Sequence, residues 1–313
     1  MCHDKKTIYE IKSLYRDDFR VTGYEFGSGG KSACIAGGCR GNEVQQIYTC
    51  SQIVRQLKLL EKKGKINPGH KILVIPSMNP YSMNIQKRFW PIDNSDINRM
   101  FPGYDLGETT QRIAAGIFKE IQDYKYGMQF TSFYMPGNFT PHVRMMRTGM
   151  EDVELAKQFG FPYVVIREVR PYDTTTLNYN WQIWESKAFS VYTNSTDRID
   201  TKSAAEAVRY VLNFLGKQGI IQYKSHDGYI SQVISDQAMA SVRAEASGIF
   251  DGKVNVGDAV AQGQLLAEII DPYEGEVMEQ IFSPADGVIF FAHNDPLTYS
   301  HTSVYKIVRN MEA

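Results

Sequence analysis

The chain reads Gly37-Gly38-Cys39-Arg40-Gly41-Asn42-Glu43 at the point where two patterns meet. An apolar run over residues 32–36 precedes this stretch and predicts a strand, and a long helical pattern begins near Asn42. The stretch therefore forms a strand-to-helix turn, the place where α/β proteins commonly hold ligand-binding and catalytic groups. Arg40 and Glu43 stand three residues apart at the start of the helix, so we expect their side chains to meet.

Strand-like and helical segments alternate after this turn. Residues 71–76 form an almost uninterrupted apolar run, which is typical of a buried parallel strand. Helices are predicted over residues 43–62, 108–123, 152–160 and 201–216, and further strands over residues 128–133, 163–166 and 188–193. This alternation predicts an α/β domain with a mostly parallel sheet flanked by helices.

The pattern changes after about Gly219. Short β-like runs separated by glycine turns fill the remainder, which predicts a domain boundary between residues 1–222 and a β-rich domain over residues 223–313. The runs 256–260, 263–266 and 283–288 resemble the half-barrels of biotinyl and lipoyl carrier domains. No lysine stands at a hairpin tip in the carrier context, so no prosthetic group is predicted.

Composition limits the classes of function. The 313 residues include 34 basic and 35 acidic side chains, a formal net charge of -1, which gives no electrostatic basis for binding nucleic acid or an anionic membrane. The cysteines (Cys2, Cys34, Cys39, Cys50) lack C-x-x-C spacing, and no secretory leader or 18-residue apolar span is evident. We expect a cytoplasmic protein that binds small molecules and can form a homo-oligomer.

An ordered series of motifs continues beyond the turn. The chain reads Val74-Ile75-Pro76, Asn79-Pro80, Arg88, Asp96-Ile97-Asn98-Arg99 and Phe101-Pro102-Gly103. This series resembles the aspartoacylase and succinylglutamate desuccinylase family, a branch of the zinc carboxypeptidase superfamily. The resemblance implies a zinc-carboxypeptidase-like α/β domain followed by a β module. It also implies hydrolysis of an amide by a zinc ion that two histidines and one glutamate hold.

Three positions depart from the family's catalytic pattern. Glu43 matches the ligand glutamate, but Arg40 stands where the first histidine is expected, and Thr131 stands at the second. Tyr192 falls at the position of the general base, and a phenol is a poor base at neutral pH. Arginine has no lone pair to offer a metal ion. We therefore predict no cofactor, with Arg40 replacing the charge of the ion beside Glu43.

The chain keeps the residues to which the family resemblance assigns substrate binding. Arg88 and Arg99 match family positions that hold a substrate carboxylate and polarise the scissile carbonyl, and Asn98 matches a carboxylate-contacting amide. His142 belongs to a segment that resembles one the family keeps near the pocket. These features favour a non-hydrolytic protein that binds a small carboxylate-bearing molecule or an N-acyl amino acid.

Two other interpretations stay open. The protein is alternatively an active hydrolase of amide or ester bonds, through a rebuilt zinc site of Glu43, Cys39 and His142 or through Cys39 as a nucleophile. A thiol near a helix N-terminus and beside an arginine can have a lowered pKa. In the remaining interpretation, the β module acts as an interaction domain. Aromatic residues make up 12% of the chain, but aromatics mostly fill cores.

Overall fold

The computed structural model describes residues 4–14, 17–226 and 228–310. The chain divides into two compact units, one formed by residues up to 132 together with 141–233, the other by residues 133–140 together with those from 234 onward. The boundary therefore differs from the predicted one at 222/223. Residues beyond 222 stay with the first unit because they hydrogen-bond to it: the Tyr229 amide donates to the Gly160 carbonyl oxygen at 2.9 Å, and the Gln232 amide to that of Pro162 at 2.9 Å.

Helices occur in both units, and those of α type lie in the first. They are α1 (Val44–Lys62), α2 (Pro80–Asn84), α3 (Thr109–Ile121), α4 (Val153–Lys157), α5 (Leu177–Ile183) and α6 (Thr201–Lys217). Short 3-10 turns span Ile97–Arg99, Pro171–Asp173 and Asp236–Ala238. Within the described ranges, no helix is both long enough and apolar enough to cross a lipid bilayer.

Strands make up much of both units. In chain order they are β1 (Asp4–Ile11), β2 (Phe19–Gly27), β3 (Gly29–Ala36), β4 (Gly69–Ile75), β5 (Tyr126–Phe130), β6 (Asn138–Phe139), β7 (His142–Arg147), β8 (Tyr163–Glu168) and β9 (Lys187–Tyr192). They continue with β10 (Gln232–Ser235), β11 (Ala240–Arg243), β12 (Gly248–Gly252), β13 (Ala259–Val260), β14 (Leu265–Ile270), β15 (Val277–Phe282), β16 (Gly287–Ala292), β17 (Leu297–Thr298) and β18 (Ser303–Arg309).

The sheet of the first unit is mixed. Its strand order is β1-β2-β4-β3-β5-β9-β7-β8-β10. Strands β4, β3, β5 and β9 run parallel to one another, as do β7 and β8, but β1 with β2, β2 with β4 and β7 with β9 pair antiparallel. The prediction of a mostly parallel sheet is therefore right for the centre and for the pair β7 and β8, but the sheet as a whole is mixed, because a short apolar run does not reveal the direction of its strand.

Helices cover both faces of this sheet, as predicted. Successive side chains of a strand point to opposite faces. Ala33 and Ile35 of β3 accordingly pack with residues of α1 and α6, whereas Cys34 and Ala36 pack with residues of α3 and α5. The carboxyl ends of β3, β5 and β9 lie side by side; Arg40 and Thr131 come after β3 and β5, and Tyr192 is the last residue of β9.

The second unit consists of antiparallel sheets. One has the order β11-β18-β16-β13, with β6 paired to β16, and the other has the order β15-β14-β12-β17. A shared core of aliphatic residues includes Val242, Leu266, Ile269, Ile289 and Ile307. The prediction of a β-rich C-terminal region is therefore confirmed, and its likeness to biotinyl and lipoyl carriers stays a prediction.

Candidate functional site

A tight turn links β3 to α1 and positions the candidate site. Gly37 donates its amide to the Ile75 carbonyl oxygen at 2.9 Å, and the Gly38 carbonyl oxygen accepts from the amides of Met78 and Asn79 at 3.1 and 3.0 Å. Gly38 has a φ of +55°, and a side chain there would lie 2.7 Å from Ile47. Glycine is needed at this position because it alone adopts such a φ without strain.

Arg40 is buried in a network of ion pairs. Its Nη1 donates to Glu43 Oε1 at 3.0 Å, and its Nε and Nη2 donate to Asp96 Oδ2 at 3.1 and 2.8 Å. Arg40 is 5% exposed and Glu43 is fully buried. The contact between Arg40 and Glu43 predicted from their spacing is therefore present, and Asp96 adds a second carboxylate.

Glu43 receives three hydrogen bonds. Besides the Arg40 guanidinium, the Arg40 backbone amide donates to Oε2 at 3.1 Å and the Ser132 hydroxyl donates to Oε1 at 2.7 Å. A buried carboxylate is costly unless such donors compensate it. Ser132 was not assigned a role from the sequence, because the residue follows β5 and only the fold brings it to Glu43.

The electrostatic environment keeps Arg40 charged. Burial acts to lower the pKa of Arg40, but the carboxylates of Glu43 and Asp96 outweigh it, so the pKa is raised above its usual value. Asp96 is held in turn, because its Oδ1 accepts the Asn98 amide at 3.0 Å at the start of the 3-10 turn. Arg40 is thus a permanent cation fixed between two carboxylates.

Cys39 lies next to Arg40 but has a different environment. Its sulfur lies 3.8 Å from both Met78 Sδ and Asn98 Oδ1, and the Gln129 side-chain amide lies 3.4 Å from it. Cys39 is 1% exposed. Burial, followed by the negative charge of Glu43, raises the pKa of the Cys39 thiol well above its usual range. The lowered pKa that the nucleophile interpretation requires is therefore not supported, and the thiol is poorly suited to act as a nucleophile.

Asn98 is part of this buried cluster. Its Oδ1 accepts from Gln129 Nε2 at 2.8 Å and from the Leu177 amide at 3.4 Å. Gln129 lies in β5, two residues before Thr131, and no motif in the sequence pointed to it. The internal hydrogen bonds of Asn98 fix the loop that carries Asp96 against the sheet.

Thr131 directly follows β5, and Tyr192 is the last residue of the neighbouring strand β9. The Thr131 amide donates to the Val191 carbonyl oxygen at 3.1 Å, and the side chains are 5% and 9% exposed. Tyr192 stacks on His142, with ring centres 4.7 Å apart and planes 5° apart, and the Arg144 guanidinium carbon lies 4.9 Å from the Tyr192 ring centre. His142 is fully buried. The structure thus pairs His142 with Tyr192 across β7 and β9.

Arg88 and Arg99 differ in their surroundings. Arg88 is partly buried, and its carbonyl oxygen accepts the Gly41 amide at 3.2 Å. Burial, followed by the positive charge of Arg40, lowers the pKa of Arg88 below its usual value. Arg99 Nη1 instead donates to the Tyr172 carbonyl oxygen at 2.5 Å and forms an ion pair with Asp173 at 3.5 Å.

The residues at this turn do not fit a zinc ion. Across the part of the chain that the structure describes, no three His, Cys, Asp or Glu side chains come together as a metal-binding group. The proposed set of Glu43, Cys39 and His142 is therefore not assembled as such a group. The carboxylate of Glu43 is already occupied by Arg40 and Ser132. Zinc sites in proteins are built from thiolate, imidazole and carboxylate ligands, and a guanidinium is not among them.

Comparison with protein families agrees with this architecture. The family model of the succinylglutamate desuccinylase/aspartoacylase catalytic domain matches residues 29–215. The chain belongs to this family. The match includes the turn that carries Arg40 and Glu43, as well as Thr131 and Tyr192, so the positions at which the sequence was expected to depart from the family pattern lie within the matched domain.

Relatives in the succinylglutamate desuccinylase/aspartoacylase family are distant in sequence. The chain is 24% identical over 256 residues to the N-alpha-acetyl-L-2,4-diaminobutyric acid deacetylase of Halomonas elongata, covering 77% of this chain and 71% of the relative. The ectoine utilization protein EutE (DoeB) of Ruegeria pomeroyi in its product-bound structure gives a TM-score of 0.80 at 19% identity, covering 97% and 93% of the two chains. A succinylglutamate desuccinylase from Silicibacter sp. gives 0.81 at 20% identity, covering 97% and 92%. At these identities the structures show a shared fold.

Proposed function

We propose that this protein binds a small carboxylate-bearing molecule or an N-acyl amino acid without hydrolysing it. The observation that carries the proposal is the ion-pair network of Arg40, Glu43 and Asp96. The guanidinium supplies the positive charge that a metal ion supplies in a zinc hydrolase. A guanidinium is not a Lewis acid. It therefore cannot bind a water molecule and convert it to hydroxide, as a zinc ion does.

Arg88 is the candidate for contact with the ligand carboxylate. Its charged form is disfavoured by burial and by the nearby charge of Arg40. The opposite charge of an anion bound beside Arg88 offsets both effects, and a guanidinium offers a carboxylate two parallel donors. The position therefore favours an anionic ligand over a neutral or cationic one.

Binding and turnover are measured on the same protein. Titration calorimetry with a panel of N-acetyl amino acids is expected to give binding to the wild type, and Arg88→Gln is expected to weaken it about tenfold or more, because a charge-assisted contact is lost. Arg147→Gln is the control, since Arg147 pairs with Glu168 on an exposed part of the sheet. Release of free amino acid by the wild type supplied with zinc would overturn the proposal.

An amide-bond hydrolase is the second candidate. The family membership favours it, together with the similarity to the Halomonas elongata deacetylase. The double variant Arg40→His with Thr131→His separates the two candidates, because it restores imidazoles at both positions where the family pattern has histidine. We expect the double variant, and not the wild type, to retain one zinc per chain after dialysis, measured by mass spectrometry of the metal. Stoichiometric zinc in the wild type would favour the hydrolase.

The proposed setting is the cytoplasm. Cys34, Cys39 and Cys50 are free and buried, which suits a compartment that keeps thiols reduced. We also propose that the chain forms a homo-oligomer, without specifying the number of subunits. Gel filtration with light scattering measures that number.

A further inference from the structure

One sheet of the second unit carries an apolar row on its outer face. The row consists of four residues that pair in sequence across β17, β12, β14 and β15: Leu297, Ile249, Ile270 and Val277. Paired residues of antiparallel strands lie on the same face. Ile269, the neighbour of Ile270, packs in the core, so the row points away from the core. Leu297, Ile249 and Val277 are 60%, 37% and 50% exposed, so the apolar row is open to solvent.

Acidic side chains flank the apolar row. On the same face, the adjacent row pairs Asp251 with Glu268, and Lys253 forms ion pairs with both, so one ammonium serves two carboxylates. The turn between β14 and β15 adds Glu274 and Glu276, which are both exposed. The apolar row and these four carboxylates together form an acidic face. Two copies of the acidic face would repel each other, so the face favours a partner that is basic as well as apolar.

The chain itself contains a surface of that chemistry. Residues 234–313 carry 4 basic and 12 acidic side chains, whereas the remainder of the chain carries 30 basic and 23 acidic ones. Part of this basic excess lies on α1, where Arg55, Leu59 and Lys62 recur at helical spacing and are all exposed. The carboxylate of Glu61 is engaged by a backbone amide of β2 at 2.8 Å. Arg55, Leu59 and Lys62 thus form a basic stripe with an apolar centre.

We propose that the basic stripe of one copy of this chain docks on the acidic face of a second copy. The two surfaces match in length, because the stripe spans about 10 Å along the helix axis and four strands span about 14 Å. Leu59 then contacts the apolar row, and the basic side chains contact the carboxylates. A contact between two different patches builds a ring or a filament, or a two-fold dimer in which the contact occurs twice. The inference goes beyond ligand binding and gives the proposed homo-oligomer a defined interface.

The test is sedimentation velocity of the full chain at increasing protein concentration, in low and in high salt. Association of the wild type is expected to weaken as salt screens the exposed charges. Lys62→Glu and Glu276→Lys are each expected to weaken association about threefold to tenfold. The double variant exchanges the two charges and is expected to return to within about threefold of the wild type. Glu154→Lys is the control, because it makes the same change in net charge at a side chain that is 80% exposed, and it is expected to change association less than about twofold.

The apolar part of the contact is tested by Leu59→Ala, which is expected to weaken association about threefold or more, with the exposed Leu106→Ala as its control. Circular dichroism melting checks that each variant folds, and Arg55→Glu replaces Lys62→Glu if the latter does not. A wild type that stays monomeric at every concentration overturns the inference, as does association that high salt leaves unchanged or strengthens. Failure of the double charge exchange to recover association also overturns it. Titration of the same variants with N-acetyl amino acids measures ligand binding separately.

Discussion

Replacement of Arg40 by methionine is the most direct perturbation of the site. The change keeps a long apolar side chain but removes three charge-assisted hydrogen bonds to Glu43 and Asp96. At about 1.5–3 kcal/mol each, these three bonds set an upper bound of roughly 4.5–9 kcal/mol on the loss in the free energy of unfolding. The Asp96 side chain is 16% exposed and can regain water, whereas Glu43 is fully buried and cannot. We therefore expect the free energy of unfolding to fall by about 3–5 kcal/mol, the range for breaking a buried ion pair.

Urea denaturation followed by tryptophan fluorescence measures this loss. The three tryptophans, Trp90, Trp181 and Trp184, all lie in the first unit, so the signal reports on the unit that contains the site. The second variant is Arg40→Met with Glu43→Gln, in which the stranded carboxylate is neutral. We expect it to be more stable than Arg40→Met alone, giving a coupling energy of about 1–3 kcal/mol.

Arg147→Met serves as the matched control, because it removes an arginine from an exposed ion pair with Glu168 and is expected to cost less than about 1 kcal/mol. A stability of Arg40→Met within about 0.5 kcal/mol of the wild type would refute the reasoning. So would failure of Glu43→Gln to recover any stability, because the cost would then not come from an uncompensated charge.

Two further predictions concern the buried thiols and the glycine turn. Burial raises the pKa of Cys34, Cys39 and Cys50, whereas thiols in the unfolded chain ionise near pH 8.5, so the unfolded state loses protons first as pH rises. The stability that these thiols contribute is fully present below about pH 8 and then falls by about 1.4 kcal/mol per pH unit for each thiol. Urea denaturation between pH 8 and 10 should therefore show that the free energy of unfolding of Cys34→Ala falls less steeply with pH than that of the wild type. Gly41→Ala should cost at least about 2 kcal/mol in thermal or urea unfolding, because the added carbon would lie 2.2 Å from the backbone of α2. Gly30→Ala, with its nearest neighbour at 3.8 Å, is the control, and equal losses for both variants would contradict the steric explanation.

Elements with strong periodicity were predictable from the sequence. The helix expected over residues 43–62 is Val44–Lys62, and the strand expected over 71–76 is Gly69–Ile75. The strand expected over 128–133 ends at Phe130 instead, and residues 133–140 belong to the second unit. The apolar pattern alone does not indicate where a chain leaves one core for another.

Among the elements that were not predicted, β7 and α5 show a different reason. Strand β7, which reads HVRMMR, lacks both an alternating pattern and β-branched enrichment. Helix α5, which reads LNYNWQI, is short and rich in residues of weak helix preference. Its N-cap residue Thr176 accepts the Tyr179 amide, and the buried Leu177 and Trp181 hold it against the sheet, so tertiary packing decides its conformation.

Only the local part of the site could be predicted. Arg40 and Glu43 are three residues apart, and their spacing indicated the ion pair. Asp96 lies 56 residues from Arg40, and Ser132 lies 89 residues from Glu43, so only the folded sheet brings them together. The sequence left the environment of Cys39 open between a reactive and a buried thiol for the same reason, because its contacts with Met78 and Asn98 come from distant segments.

The assignment of residues 133–140 to the second unit limits how this protein can be divided. The chain passes from one unit to the other after Ser132, returns at Pro141 and leaves again after Val233. No single cut yields both units as continuous fragments, and a truncation at residue 233 would leave β6 without its partner strand β16.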